Sequence, residues 1–233
     1  CKNTPIESIY ITSNGSLPDR AVKTLNFITN KYKNIKINVQ LSIDDIGERH
    51  DKIRKIKNLF NSAVETFHSL KGIKNVYPIV GITVSLENCS RILELYDVLY
   101  NRYRIDAFKA IAVRDEGVYT TPEKEKIKIL NAYKELSQII LTDSKSKKIK
   151  NYNYDKLKSK IHFHKDKLMY SYVIRNFLKP KFESQCHAGS LFGIIGSKGE
   201  VYACELLQDK MIGNLRDFNF NFMKLWNSKE NSK

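Results

Sequence analysis

The sequence has little cysteine, little arginine and no long apolar run. Its 233 residues hold four cysteines, at positions 1, 89, 186 and 204. That is too few and too scattered for the disulfide framework of a secreted mini-protein, and a reducing cytoplasm is the expected compartment. No stretch of about 18 consecutive apolar residues occurs, which excludes a spanning helix of the usual kind and gives no expectation of a membrane partner. The opening residues Cys1-Lys2-Asn3-Thr4-Pro5 lack the apolar core of an export signal. There is no repeat of fixed period and no low-complexity tract. What is present is lysine: 40 Lys and Arg against 25 Asp and Glu give a net charge of +15, yet only 9 of the 40 are Arg. Specific nucleic-acid readers lean on Arg and on aromatic stacking surfaces, so this excess reads as compositional bias and nucleic-acid binding is disfavoured. With 42% hydrophobic and 11% aromatic residues, a sizeable core is expected and wholesale disorder is excluded.

The first half reads as strand, loop, helix, repeated. Strands are expected at Ile9–Thr12, Ile35–Leu41, Val76–Ser85 and Ala107–Val113, the first three carrying many β-branched residues. Helices are expected from Pro18, from about Asp51 to Lys71 as one continuous element, after a cap at Asn88, and from Pro122 to about Leu141. This alternation implies parallel βα units with right-handed crossovers. In such sheets ligands gather beyond the C-terminal ends of the strands. Four segments are thereby singled out: Ser13-Asn14-Gly15, Ser42 to Arg54, Ser85 to Asn88, and Arg114 to Gly117. The basic, Ser-containing stretch Asp143 to Lys150 reads as a linker, followed by a helix from Tyr154 to Leu178. Beyond Cys186 a hairpin is expected, Leu191–Ile195 and Glu200–Leu206 around Ser197-Lys198-Gly199. A tight turn at Ile212–Leu215 and a short helix over Phe220–Trp226 complete the chain.

Two clusters carry chemistry. Cys186 and Cys204 flank the hairpin, separated by twelve residues, Gly199 and four more. Two thiolates so placed can share zinc or an iron–sulfur cluster, with His187, His162 or His164 as further donors, or can be buried inert thiols. Ser42 to Arg54 contains Asp44, Asp45, His50, Asp51 and Arg54. Ser42 can hydrogen-bond a sugar or amino group, and Arg54 can pair with a carboxylate. Alternatively Asp51 caps a helix and Arg54 pairs with Glu48 or Asp51 in a surface ion network. Asp106, Arg114 and Glu116 are expected near the end of the fourth strand, either paired structurally or lining the pocket. Cys89, beside a helix cap, reads as an ordinary small residue.

Together these blocks resemble one family. Asn14-Gly15 after a strand, then Ser42-Ile43-Asp44, Gly47, His50-Asp51 and Ile53-Arg54, are similar to the third and fourth strands of radical S-adenosylmethionine enzymes. Cys186-His187-Ala188-Gly189, Gly199-Glu200-Val201-Tyr202-Ala203-Cys204, Ile212-Gly213-Asn214-Leu215 and Leu225-Trp226 resemble the SPASM or twitch domain that follows the barrel in many of them. The resemblance implies an α/β fold: an incomplete partial (β/α)6 barrel over residues 1–142, a helical linker over 143–180, and a small hairpin-containing SPASM-like domain over 181–233. It implies S-adenosylmethionine and 4Fe-4S clusters as cofactors, with Ser42, Arg54 and Asn14 on the S-adenosylmethionine side and Cys186 and Cys204 as ligands of an auxiliary cluster. The implied activity is an oxidoreductase that cleaves S-adenosylmethionine to a 5′-deoxyadenosyl radical and modifies a peptide or protein. An electron donor such as flavodoxin or ferredoxin is the implied partner.

The sequence departs from the family at definite places. The Cys-x3-Cys-x2-Cys loop and the Gly-Gly-Glu-Pro segment are absent, and so are the last auxiliary cysteines. Asp44-Asp45 stands where Asp-Gly is common, and Lys55 stands where a Gly often follows the Arg. The expectation is therefore a piece of a longer enzyme, inactive alone. The competing expectation is a degenerate barrel that binds a peptide or nucleic acid through basic faces.

Overall fold

A computed structural model describes residues 6–114, 120–151, 156–181, 185–205, 207 and 209–228. It is a mixed α/β protein with two compact units, one reaching to Pro180 and the other starting at Lys181.

The first unit is built on a four-stranded parallel sheet of β1 (Ser8–Ser13), β2 (Lys36–Ser42), β3 (Val76–Val84) and β4 (Phe108–Ala112), in the order β1-β2-β3-β4. Register places Ser13, Leu41, Val80 and Phe108 in one row across the sheet. Leu41, Val80 and Phe108 are fully buried. They join the helices α1 (Pro18–Lys31), α3 (Leu59–Lys71), α4 (Ile92–Asn101) and α5 (Glu123–Lys145) in one core, through Leu25, Phe60, Phe67, Leu99 and Leu136. Side chains alternate along a strand, so the opposite face carries the rows Tyr10-Asn38-Tyr77 and Thr12-Gln40-Ile79 and the row Ser42-Gly81-Lys109. That face is largely polar. Strands buried on both faces read as continuous apolar runs. The alternation in β1 and β2 follows from one face having no apolar cover among the described residues.

Three expectations are corrected. The helix expected from Asp51 to Lys71 is two, α2 (Glu48–Arg54) and α3, because Lys55 and Asn58 both adopt left-handed backbone (φ 56° and 59°). Asn88 caps no helix with its side chain; it precedes a 3-10 turn, Cys89–Arg91, and bonds elsewhere. The stretch Asp143–Lys150 is packed into the first unit. α5 runs through Lys145, the buried Asp143 carboxylate accepts the Tyr96 hydroxyl at 2.8 Å and the Lys148 ammonium at 2.8 Å, and Ile149 is buried. The last helix of this unit, α6 (Lys156–Asn176), packs on α5, and its Tyr170 hydroxyl accepts the Ala110 N–H of edge strand β4 at 3.3 Å.

The second unit is a three-stranded antiparallel sheet of β5 (Ile194–Ile195), β6 (Glu200–Tyr202) and β7 (Met211–Asn214), in the order β5-β6-β7. The expected turn at Ile212–Leu215 is thus the third strand and the start of a 3-10 turn, Leu215–Phe218. Gly199 closes the β5–β6 hairpin at φ +89°, a conformation other residues adopt at a cost. Val201, Leu215 and Leu225, the last from α7 (Phe222–Trp226), form a small core. Among the described residues no helix is long and apolar enough to cross a membrane.

Candidate functional site

The C-terminal ends of β1, β2 and β3 converge on a buried polar cluster. Asn14 directly follows Ser13, which is level with Leu41, so Asn14 and Ser42 are neighbours across the ends of β1 and β2. Asn14 is half-buried, and its Oδ1 accepts the Ser16 N–H at 3.1 Å, which shapes the loop. Gly15 (φ +72°) lets this loop lie on α3: a Cβ there would sit 2.8 Å from the Ala63 Cα. The Gly15 carbonyl accepts the Thr66 hydroxyl at 2.9 Å. Ser42 is buried at the end of β2 on the polar face, level with Gly81.

Next come two consecutive buried carboxylates. Asp44 accepts Nε of Arg54 at 2.6 Å and its Nη2 at 2.5 Å, both on Oδ2, and the Thr83 N–H at 3.0 Å on Oδ1. Asp45 accepts Arg91, Nε of Arg49 at 3.0 Å and the Ile46 N–H at 2.8 Å. Burial pushes the Asp45 carboxyl up, but those three donors outweigh it and hold it below the ordinary carboxylate value. Arg49 also reaches Glu94 at 4.0 Å. Asn88 ties the strand ends together: its amide nitrogen donates to the Asp44 carbonyl at 2.7 Å and the Thr83 carbonyl at 2.8 Å, and its oxygen accepts the Ser85 N–H at 2.9 Å. His50 is fully buried against Phe60. Its Nδ1 accepts the Asp44 N–H at 3.1 Å, so the ring proton resides on Nε2, which has no hydrogen-bond partner among the described residues. Burial lowers the His50 pKa, opposed in part by the Asp44 charge.

Of the sequence-predicted residues, Asn14, Ser42 and Arg54 are thus brought to the same strand ends. Arg54 pairs with Asp44, rather than with Glu48 or Asp51. Asp51 caps the next helix, not its own: its carboxylate accepts the N–H groups of Asn58 at 2.6 Å and Phe60 at 2.9 Å. Asp106 lies before β4, at the opposite end of the sheet, paired with Lys71 at 2.7 Å and Lys150 at 3.5 Å. Arg114 is exposed just past β4, and Glu116 lies outside the described residues. Arg49 and Arg91 are the participants that motif reading missed, while Asn88, expected as a helix cap, ties the strand ends instead. Arg91 meets Asp45 across 46 positions of sequence, a separation that no local pattern announces.

In the second unit Cys186 is exposed and Cys204 half-buried. The segments that carry them meet: a Cβ on Gly189 would be 3.2 Å from the Cβ of Ala203, the residue before Cys204. Among the described residues no three His, Cys, Asp or Glu side chains converge as a metal-ligand set. Two thiolates are half of what a 4Fe-4S cluster takes, and the described part of the first unit holds one cysteine, Cys89, whose thiol faces the Leu86 carbonyl at 3.8 Å. The described residues therefore do not supply a complete cluster site. They do supply a hydroxyl, an amide and a guanidinium for a polar, carboxylate-bearing ligand, the guanidinium with part of its fork already engaged by Asp44. Compared with known proteins, the chain matches no family model, and no curated protein matches it.

Proposed function

We propose that this chain is the scaffold and cofactor-side portion of a radical S-adenosylmethionine enzyme acting on a peptide or protein. The observation that carries the reading is the sheet. Its strands are parallel and in sequential order, α1, α3, α4 and α5 cover one face, and its other face is polar and bears a cleft walled on one side by α6. A doubly wound sheet would reverse its strand order and be apolar on both faces. A βα barrel keeps its strands in sequential order, and its ligands sit at the strand ends, where Asn14, Ser42 and Arg54 sit. A second support is the left-handed Lys55 after Arg54, a backbone state that favours the glycine the family often has there. Ser42 and the unengaged part of the Arg54 fork would hold the amino-acid end of S-adenosylmethionine, and Cys186 and Cys204 would contribute two thiolates to an auxiliary cluster. No chemical step is assigned to the chain, because the ligand set for the reducing cluster is incomplete.

Calorimetric titration of the purified chain with S-adenosylmethionine tests this. Saturable binding is expected, weakened about tenfold or more in Arg54→Lys, which keeps a cation on Asp44 but removes the fork. Absence of binding to the wild-type chain overturns the reading. A non-catalytic degenerate barrel would then stand, a role favoured by the internal engagement of Arg54 with Asp44.

A further inference from the structure

The polar face of the sheet holds a cleft of about 340 Å³ that none of the strand-end residues above line. Its floor is the row Tyr10-Asn38-Tyr77 and the row Thr12-Gln40-Ile79, with Lys109 projecting from β4. One wall is α6, through His162, Lys165 and Asp166. The rim at the N-terminal ends of the strands is Lys71, Asp106 and Lys150. The charge is unbalanced. Asp106 is shared by Lys71 and Lys150, and Asp166 faces Lys165 at 3.3 Å. Lys109 is exposed and makes no ion pair among the described residues. Four ammonium groups thus surround two carboxylates, and all of them border one concave space.

We propose that this cleft is a binding site for a small organic phosphate with a planar ring, the chemical class of a nucleoside monophosphate. Each feature maps to part of such a ligand. Convergent lysines, as mobile point charges, suit a phosphate dianion. Two phenol rings in one row, Tyr10 and Tyr77, offer flat faces to a planar ring. The side-by-side amides of Asn38 and Gln40 offer donors and acceptors to its edge. The volume lies at the lower end of the range of small-molecule pockets, about 300–1,000 Å³. The site is separate from the proposed S-adenosylmethionine contacts and does not depend on them, since that cofactor carries no phosphate.

Titration of the full chain with AMP, adenosine, inorganic phosphate and a hexaglutamate peptide, with and without saturating S-adenosylmethionine, tests the proposal. AMP should bind with S-adenosylmethionine present, and adenosine and phosphate should each bind about tenfold or more weakly. Lys109→Gln and Lys165→Gln should each weaken AMP about tenfold, the worth of one charge-assisted contact. Lys109 is exposed, so its variant keeps the fold, and Lys23→Gln on α1 should have no effect. No saturable AMP binding, insensitivity to Lys109→Gln, or hexaglutamate binding as tightly as AMP would each overturn it; the last would make the cleft part of a general basic surface.

Discussion

Lys55 is the residue whose backbone state most directly challenges its side chain. At φ 56° and ψ 32° it ends α2, its N–H reaching the Asp51 and Lys52 carbonyls. A non-glycine residue in this conformation costs about 1–2 kcal/mol, and glycine forfeits part of that gain through its freer unfolded chain. Lys55→Gly should therefore stabilise the protein by about 0.5–1 kcal/mol, seen as a higher urea midpoint at unchanged slope. A lower midpoint would show that the lysine side chain contributes something the backbone argument omits. Asp45 sets a second expectation. Its folded pKa lies below the ordinary value, so its contribution to stability is complete above the unfolded carboxylate pKa of about 3.9 and is lost as pH falls through the folded value. Asp45→Asn should cost about 2–3 kcal/mol at pH 7, short of a fully buried pair because Arg49 and Arg91 are partly solvated. The cost should hold level in urea titrations from pH 7 to about pH 4 and shrink only below that, as first the unfolded and then the folded wild-type carboxylate becomes protonated. A cost that stays constant from about pH 4 down to about pH 2 would refute the charge-based account. His50 adds a slope of the same sign at higher pH: its folded pKa is lowered, so stability gained by keeping it neutral erodes as pH falls below about 6.5.

At the scale of elements, the strands were readable because β-branched alternation is local. Ile37, Val39 and Leu41 alternate with Asn38 and Gln40, and that period reports a sheet with one apolar face. The break between α2 and α3 was not readable, since Ile53, Ile56, Leu59 and Phe60 keep helical spacing through it. What divides the helix is Asp51 folding back to cap α3, a contact that exists only once both helices are placed. In the site, the loops holding Asn14, Ser42 and Arg54 could be located because βα alternation singles out the segments after β1 and β2. The partners of Asp44 and Asp45 could not, because Thr83 and Arg91 arrive from β3 and the turn after it. The treatment of edge strand β4 belongs to this scale too. Asn151 donates to the Phe108 carbonyl and accepts its N–H, both at 2.7 Å, so a side-chain amide replaces a neighbouring strand. Two such bonds contribute about 1–3 kcal/mol together. Asn151→Leu should lower stability by about 2 kcal/mol and raise amide exchange at Phe108 above that at Val80, which is bonded within the sheet. Unchanged exchange at Phe108 would show that Asn151 is dispensable for closing that edge.

For the whole molecule, the two units differ most in how much apolar surface they bury. The first joins one sheet and five helices in a continuous core with many fully buried side chains, including Phe60, Phe67, Tyr96, Phe108 and Tyr133. The second offers Val201, Leu215 and Leu225, with Ile212, Phe218, Phe222 and Trp226 partly covered. Full burial of one such side chain contributes about 1.5–3 kcal/mol. Domains this small hold their fold through metals, disulfides or a larger neighbour. The segment 181–233, expressed alone and free of metal, should therefore show coil-like far-ultraviolet circular dichroism and no cooperative thermal transition. The segment 6–180 should retain helix and a single transition. If iron or zinc added to the short segment induces structure, and Cys186→Ala or Cys204→Ala abolishes that gain, the thiols supply the missing stabilisation, as metal binding coupled to folding requires. A cooperative transition in the short segment without metal would mean that its small core suffices, and the thiol pair would lose its structural rationale.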